Sequence, residues 1–135
     1  MTSGYSDTPL AIKLALRDGQ RCWFENMPEG VQDEIDEYAL ELTFVGDPAE
    51  GIDAAHIFET EGQALQAKLE TLRQQISSDG QIWVSWPKKD SGQETELDQA
   101  EVQRIGLASG LVDTKKCAVD EVWSGLKFVI PKEDR

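Results

Sequence analysis

Two stretches gather the side chains best suited to hold a ligand: Ser85-Trp86-Pro87-Lys88-Lys89-Asp90-Ser91-Gly92 and Asp120-Glu121-Val122-Trp123-Ser124-Gly125. Lys88 and Lys89 put two positive charges on a turn fixed by Pro87, and Ser91 follows with a hydroxyl; together they suit a carboxylate or a phosphate. Asp120 and Glu121 add carboxylates able to act as bases once burial or neighbours tune them, and Trp123 adds a rigid aromatic face. Glu25 and Asn26, at the end of the apolar run Cys22-Trp23-Phe24, form a third polar group. Each group has a structural alternative: a solvated lysine pair, or a turn closed by Asp and Gly.

Other chemistry finds little support. His56 is the sole histidine and has no Cys or His companion near it in sequence, whereas a zinc site takes three or four such ligands. We expect His56 to be a core histidine and the chain to hold neither metal nor cofactor. The net charge of −13 opposes phosphate backbones, which are bound through Lys and Arg, so nucleic acid is not an expected partner. Residues 1–80 carry 5 basic and 16 acidic side chains, and residues 81–135 carry 8 and 10. An anion site therefore belongs in the last third. No apolar run approaches the ~18 residues of a membrane span, and residues 1–7 lack the basic and apolar regions of a leader, so a cytoplasmic location is expected.

The elements that must position these groups alternate. Thr8-Pro9 opens a helix through Leu10, Ile12, Leu14 and Leu16 with Gly19 as its stop. Residues 21–24 read as a buried strand, and Val31, Ile35 and Tyr38 mark a helix with an acidic outer face. Strands follow at 40–45 and 54–58. Leu65, Leu69, Leu72 and Ile76 define the clearest helix, ended by Ser77-Ser78-Asp79-Gly80. A strand at 82–86 comes next, and then a helix capped by Asp98 with Glu101 and bearing Val102, Ile105 and Ala108 up to Gly110. Strands at 112–119 and 126–130 close the chain as a hairpin. This pattern predicts one α/β domain over 1–135: a three-layer, Rossmann-like, mostly parallel sheet of about six strands ending in an antiparallel hairpin. Lys115 and Lys116 protect an edge strand from unwanted pairing.

Ile52-Asp53-Ala54-Ala55-His56-Ile57-Phe58, the leucine-rich helix, and Ser78-Asp79-Gly80-Gln81-Ile82-Trp83-Val84 resemble the second half of class I methyltransferases. The resemblance implies the sheet order 2-1-3-4-6-5 and places Asp47 where that fold binds a ribose. It further implies that Cys22 and Cys117 stand four strand spacings apart, roughly 19 Å, as free, buried thiols. The glycine-rich loop that lets backbone approach the cofactor is replaced by Glu25-Asn26-Met27-Pro28-Glu29-Gly30. Thr8-Pro9-Leu10-Ala11, Ser85-Trp86-Pro87-Lys88-Lys89-Asp90-Ser91-Gly92 and Cys117-Ala118-Val119-Asp120-Glu121-Val122-Trp123-Ser124-Gly125-Leu126-Lys127 resemble a small bacterial family, domain of unknown function 3052.

The function expected from these readings is that of a non-catalytic binding or regulatory protein on a degenerate methyltransferase-like scaffold, its ligand a small anion or a protein partner. The alternative is an enzyme with an unusual nucleotide-type ligand in the strand-tip crevice. Oligomeric state leaves no mark on the sequence.

Overall fold

A strand buried on both faces needs an apolar run rather than alternation, and the computed structural model, which describes residues 8–135, has such a strand at its centre. Strand β4 (Ile76–Pro87) is buried without a break from Gly80 to Pro87. It pairs in parallel with β3 (Ile52–Phe58), which pairs in parallel with β1 (Arg21–Glu25), and β1 in turn with the two-residue β2 (Thr43–Phe44). On its other side β4 meets β6 (Trp123–Val129) in antiparallel register, and β5 (Val112–Ala118) forms the outer edge. The order β2-β1-β3-β4-β6-β5 is the one the methyltransferase resemblance implies. The reading of residues 1–7 as lacking a leader lies outside the described residues.

Helices α3 (Gly62–Gln75) and α4 (Gln99–Ala108) cover one sheet face, packing Leu65, Leu69, Leu72, Val102 and Ile105 onto Ile57, Ile82, Val84, Leu126 and Phe128. None of the three α3 leucines is more than 2% exposed, and their burial contributes roughly 5–9 kcal/mol. Gly106 seats α4 directly on β6: a Cβ there would lie 2.1 Å from the Phe128 ring. On the opposite face α1 (Leu10–Lys13) and α2 (Glu29–Glu37) bury Leu10, Val31 and Ile35 against Cys22, Ala54, Phe58 and Trp83.

Several boundaries differ from expectation, each for a local reason. The first helix ends after one turn because Leu14 and Leu16 are both buried, and residues two apart cannot share a helix face; Ala15 turns the chain with φ 56°. Strand β2 is short because Ala39 adopts φ 56° and the Leu42 amide bonds to the Leu40 carbonyl instead of a neighbouring strand. Tyr38 follows the last residue of α2 and is exposed, and Ala108 also faces out.

Residues 77–80 do not form a separating turn. Helix α3 runs straight into β4, whose register against β3 jumps from Ile52↔Ile76 to Ala54↔Gln81. Ser77 Oγ donates to Asp53 Oδ1 at 3.1 Å across this irregularity. Gly80 is required there, since a Cβ would approach the Asp53 carbonyl to 2.7 Å. Asp98 caps α4 as expected, accepting from the Glu101 amide at 2.8 Å, but the Glu101 carboxylate turns to Arg104 instead of closing a reciprocal box.

Candidate functional site

In an open parallel sheet the ligand crevice lies beyond the carboxyl ends of the strands, where the chain leaves two neighbours in opposite directions. Here that switch falls between β1 and β3, since β1 leads to β2 on one side and β3 leads to β4 on the other. The chain's own side chains lace it shut. Glu25 from the end of β1 and Glu59 just past β3 both pair with Lys68 of α3, whose Nζ lies 2.6 Å from Glu59 Oε1. Asn26, with φ 58°, donates from Nδ2 to the Phe58 carbonyl at 3.4 Å across the same gap.

Burial by itself would raise the Glu59 pKa, but the Lys68 ammonium and the Thr60 and Glu61 amides outweigh it and hold the carboxyl below its ordinary range. Burial would likewise lower Lys68, and its hydrogen bonds to Glu25 and Glu59 keep it above the usual lysine value instead. Glu59 and Lys68 are thus each held in their charged forms, with no proton poised for transfer between them. Met27 is half-buried, and Pro28, which has no amide hydrogen, occupies the cap of α2 with acidic Glu29 in the first turn. That terminus offers an anion little. Asp47 accepts from the Ala49 amide at 2.9 Å, capping a single 3₁₀ turn.

The sequence-predicted groups separate into two sets. Lys88, Asp120 and Trp123 do come together, because β6 runs antiparallel to β4 and starts opposite Pro87. Their contacts are those of a clasp. The Lys88 ammonium donates to the Asp120 carbonyl at 2.8 Å and its amide to the Val122 carbonyl at 2.7 Å. The Asp120 carboxylate accepts from the Val122 and Trp123 amides at 2.8 and 2.7 Å, which closes the turn and starts β6 three residues before the expected 126. Trp123 packs edge-on to Phe58 with ring centroids 5.0 Å apart. Lys89, Ser91 and Glu121 stay outside this clasp. Ser91 accepts from the Gln93 amide within its own loop, and Glu121 is exposed. Lys89 lines a cleft of about 650 Å³ whose other walls include Glu61, Glu94 and Glu96, so the field there is net negative rather than positive.

A feature not anticipated from the sequence is a Ser–His contact in the core. His56 Nε2 lies 2.7 Å from Ser85 Oγ, and the ring stacks on Phe58 with centroids 4.5 Å apart. His56 is 1% exposed and Ser85 wholly buried, so no substrate reaches the pair. Burial pushes the His56 pKa down to about 3, leaving a neutral core imidazole. Cys22 is buried, its thiol pushed up to about 12 by burial and by Asp53. Cys117 on the edge strand is half-buried, and burial raises it as well, against the opposing charges of Lys13 and Lys115. Both are free thiols on strands separated by three others. Among the described residues no group of three or more His, Cys, Asp or Glu is placed to hold a metal ion, and no helix is long and apolar enough to cross a membrane.

The sequence model described as Protein of unknown function (DUF3052) matches residues 15–132. The chain belongs to the DUF3052 family. No curated protein matches the DUF3052 chain. Its fold is that of methyltransferases. It is similar to magnesium protoporphyrin IX methyltransferase from Synechocystis PCC 6803 with bound SAM, at TM-score 0.57 and 13% identity over 90% of this chain and 76% of the other. It is similar too to an O-methyltransferase from neocarzinostatin biosynthesis in complex with S-adenosylmethionine, at TM-score 0.64 and 12% identity, covering 96% of this chain and 51% of that one. The DUF3052 chain thus spans about half the length of the second enzyme. Likeness at these identities establishes the fold and not the reaction.

Proposed function

We propose that this DUF3052 chain is a non-catalytic binding protein of the cytoplasm, built on a methyltransferase-like scaffold that no longer accepts the cofactor. What carries the reading is the Glu25–Lys68–Glu59 network across the β1/β3 switch. A cofactor entering the crevice would have to separate an ion pair that is largely out of water, and breaking such a pair leaves an uncompensated charge costing ~3–5 kcal/mol when fully buried. Met27 and Pro28 add bulk and remove an amide donor where close backbone approach is needed. An enzyme using this edge would need a base poised near neutral pH, whereas Glu59 is held below and Lys68 above their ordinary values.

Titration calorimetry with S-adenosylmethionine tests the reading. No binding heat is expected at millimolar cofactor. A micromolar dissociation constant would overturn it and return the chain to the methyltransferases.

A further inference from the structure

Away from the strand-tip crevice, a cleft of about 370 Å³ opens between the segment following α1 and the sheet, lined by Ile12, Leu16, Arg17, Asp79, Lys127 and Val129. Its electrostatics run against the molecule's. In a chain of net charge −13, this cleft presents Arg17 and Lys127 against the single carboxylate of Asp79. Lys127 also stands directly opposite Lys115 in the β5/β6 ladder, and like charges directly opposite in antiparallel strands destabilise the pair.

Among the described residues, neither the Lys127 ammonium nor the Arg17 guanidinium has a hydrogen-bond or ion-pair partner. Lys115 donates to the Lys13 carbonyl and Lys13 to the Ala118 carbonyl, so no acidic side chain neutralises them. Burial, with Lys115 and Arg17 nearby, lowers the Lys127 pKa, the signature of a half-buried cation without a counter-charge. Folding has placed two cations without partners on one hollow, with Lys115 beside Lys127 in the sheet, an arrangement that an anion would relieve.

We propose that this cleft binds a small organic molecule carrying a phosphate or carboxylate group, the anion held between Arg17 and Lys127. The volume lies in the range of small-molecule sites and leaves room beside the anion for an apolar portion against Ile12, Leu16 and Val129. Asp79, on the same wall, would accept from a hydroxyl or amine of the ligand. This deepens the binding-protein reading above and rests on it for the site's role, but not for its existence.

The test titrates inorganic phosphate and acetate separately into the full chain, with chloride at matched ionic strength as control. For one of the two anions the thermal midpoint should rise by roughly 5 °C at about tenfold saturation, and which one responds names the head group. Lys127→Met should lose the response while melting no lower than wild type without anion, because the repulsion is gone. Arg17→Gln, on the exposed lip of the cleft, keeps the core intact and should weaken the response about tenfold. No rise above the chloride control with either anion, or an undiminished rise in Arg17→Gln, overturns the site. The cofactor titration is read independently: silence in both experiments removes this site and leaves the closed crevice, whereas cofactor binding alongside an anion response removes the crevice reading and leaves the site.

Discussion

His56 couples the stability of this protein to pH between neutrality and the acid range. It is the only histidine, and its pKa falls from 6.5 in the open chain to about 3 when buried. Between those values the unfolded chain binds a proton that the folded one refuses. Stability therefore rises with pH across the window, by about 1.4 kcal/mol per unit, and falls on acidification. From pH 6.5 to 5 the imidazole should remove roughly 2 kcal/mol, a large share of the margin of a small domain. Urea unfolding at half-unit steps between pH 5 and 7 reads the slope directly. His56→Gln keeps a hydrogen-bonding group for Ser85 and removes the titration, so its profile should lack the imidazole's slope whatever its absolute stability. The protein's excess acid works the other way, since protonating carboxylates relieves repulsion, and subtracting the variant's profile cancels that contribution. Identical profiles for wild type and His56→Gln would refute the reasoning, as would a ring proton resonance titrating near pH 6.5 in the folded protein.

Lys68→Met should lower stability by about 2–3 kcal/mol in urea, below the cost of breaking a fully buried pair because the three groups keep some contact with water. In the wild type the network should hold across a broad plateau: the contribution of Glu59, whose pKa is lowered, is present above the ordinary glutamate value and lost as pH falls through its folded value, while that of Lys68, whose pKa is raised, is present below the ordinary lysine value and lost as pH rises through its folded value. The two neighbouring lysines should also part company under thermal denaturation. Lys88→Ala, which removes the donor to the Asp120 carbonyl, should cost about 1 kcal/mol, and Lys89→Ala should stay within ~0.5 kcal/mol; equal effects would contradict the clasp.

The elements legible from the sequence were those whose signals are local. The Leu65-Leu69-Leu72 stripe, the Asp98 cap and the Gly110 stop all declare themselves within one or two helical turns, and each stands where expected. Boundaries failed where distant packing decides. Nothing near Ser77-Ser78-Asp79-Gly80 shows that Asp53, on another strand, will hold it extended. At the strand tips Lys88 and Asp120 meet while Ser91 bonds within its own loop, and the clasp itself was not legible, because a lysine that will donate to a main-chain carbonyl looks the same in sequence as one awaiting a phosphate. Lys68 and Glu59 carried no motif at all. Lys127 did leave a trace, being the one charged residue in the run Leu126-Lys127-Phe128-Val129-Ile130.

The seat of α4 on β6 has a bearing on how such sequences can drift. With the Phe128 ring lying where a Cβ on Gly106 would go, neither position can vary by itself without a clash or a void. The two form a single inherited character: a methyl gained on the helix is tolerable only once the strand has given up its ring for something smaller. Among relatives, Gly106 and Phe128 should be kept or exchanged together, and a revertant screen starting from Gly106→Ala should recover its second-site suppressors at 128.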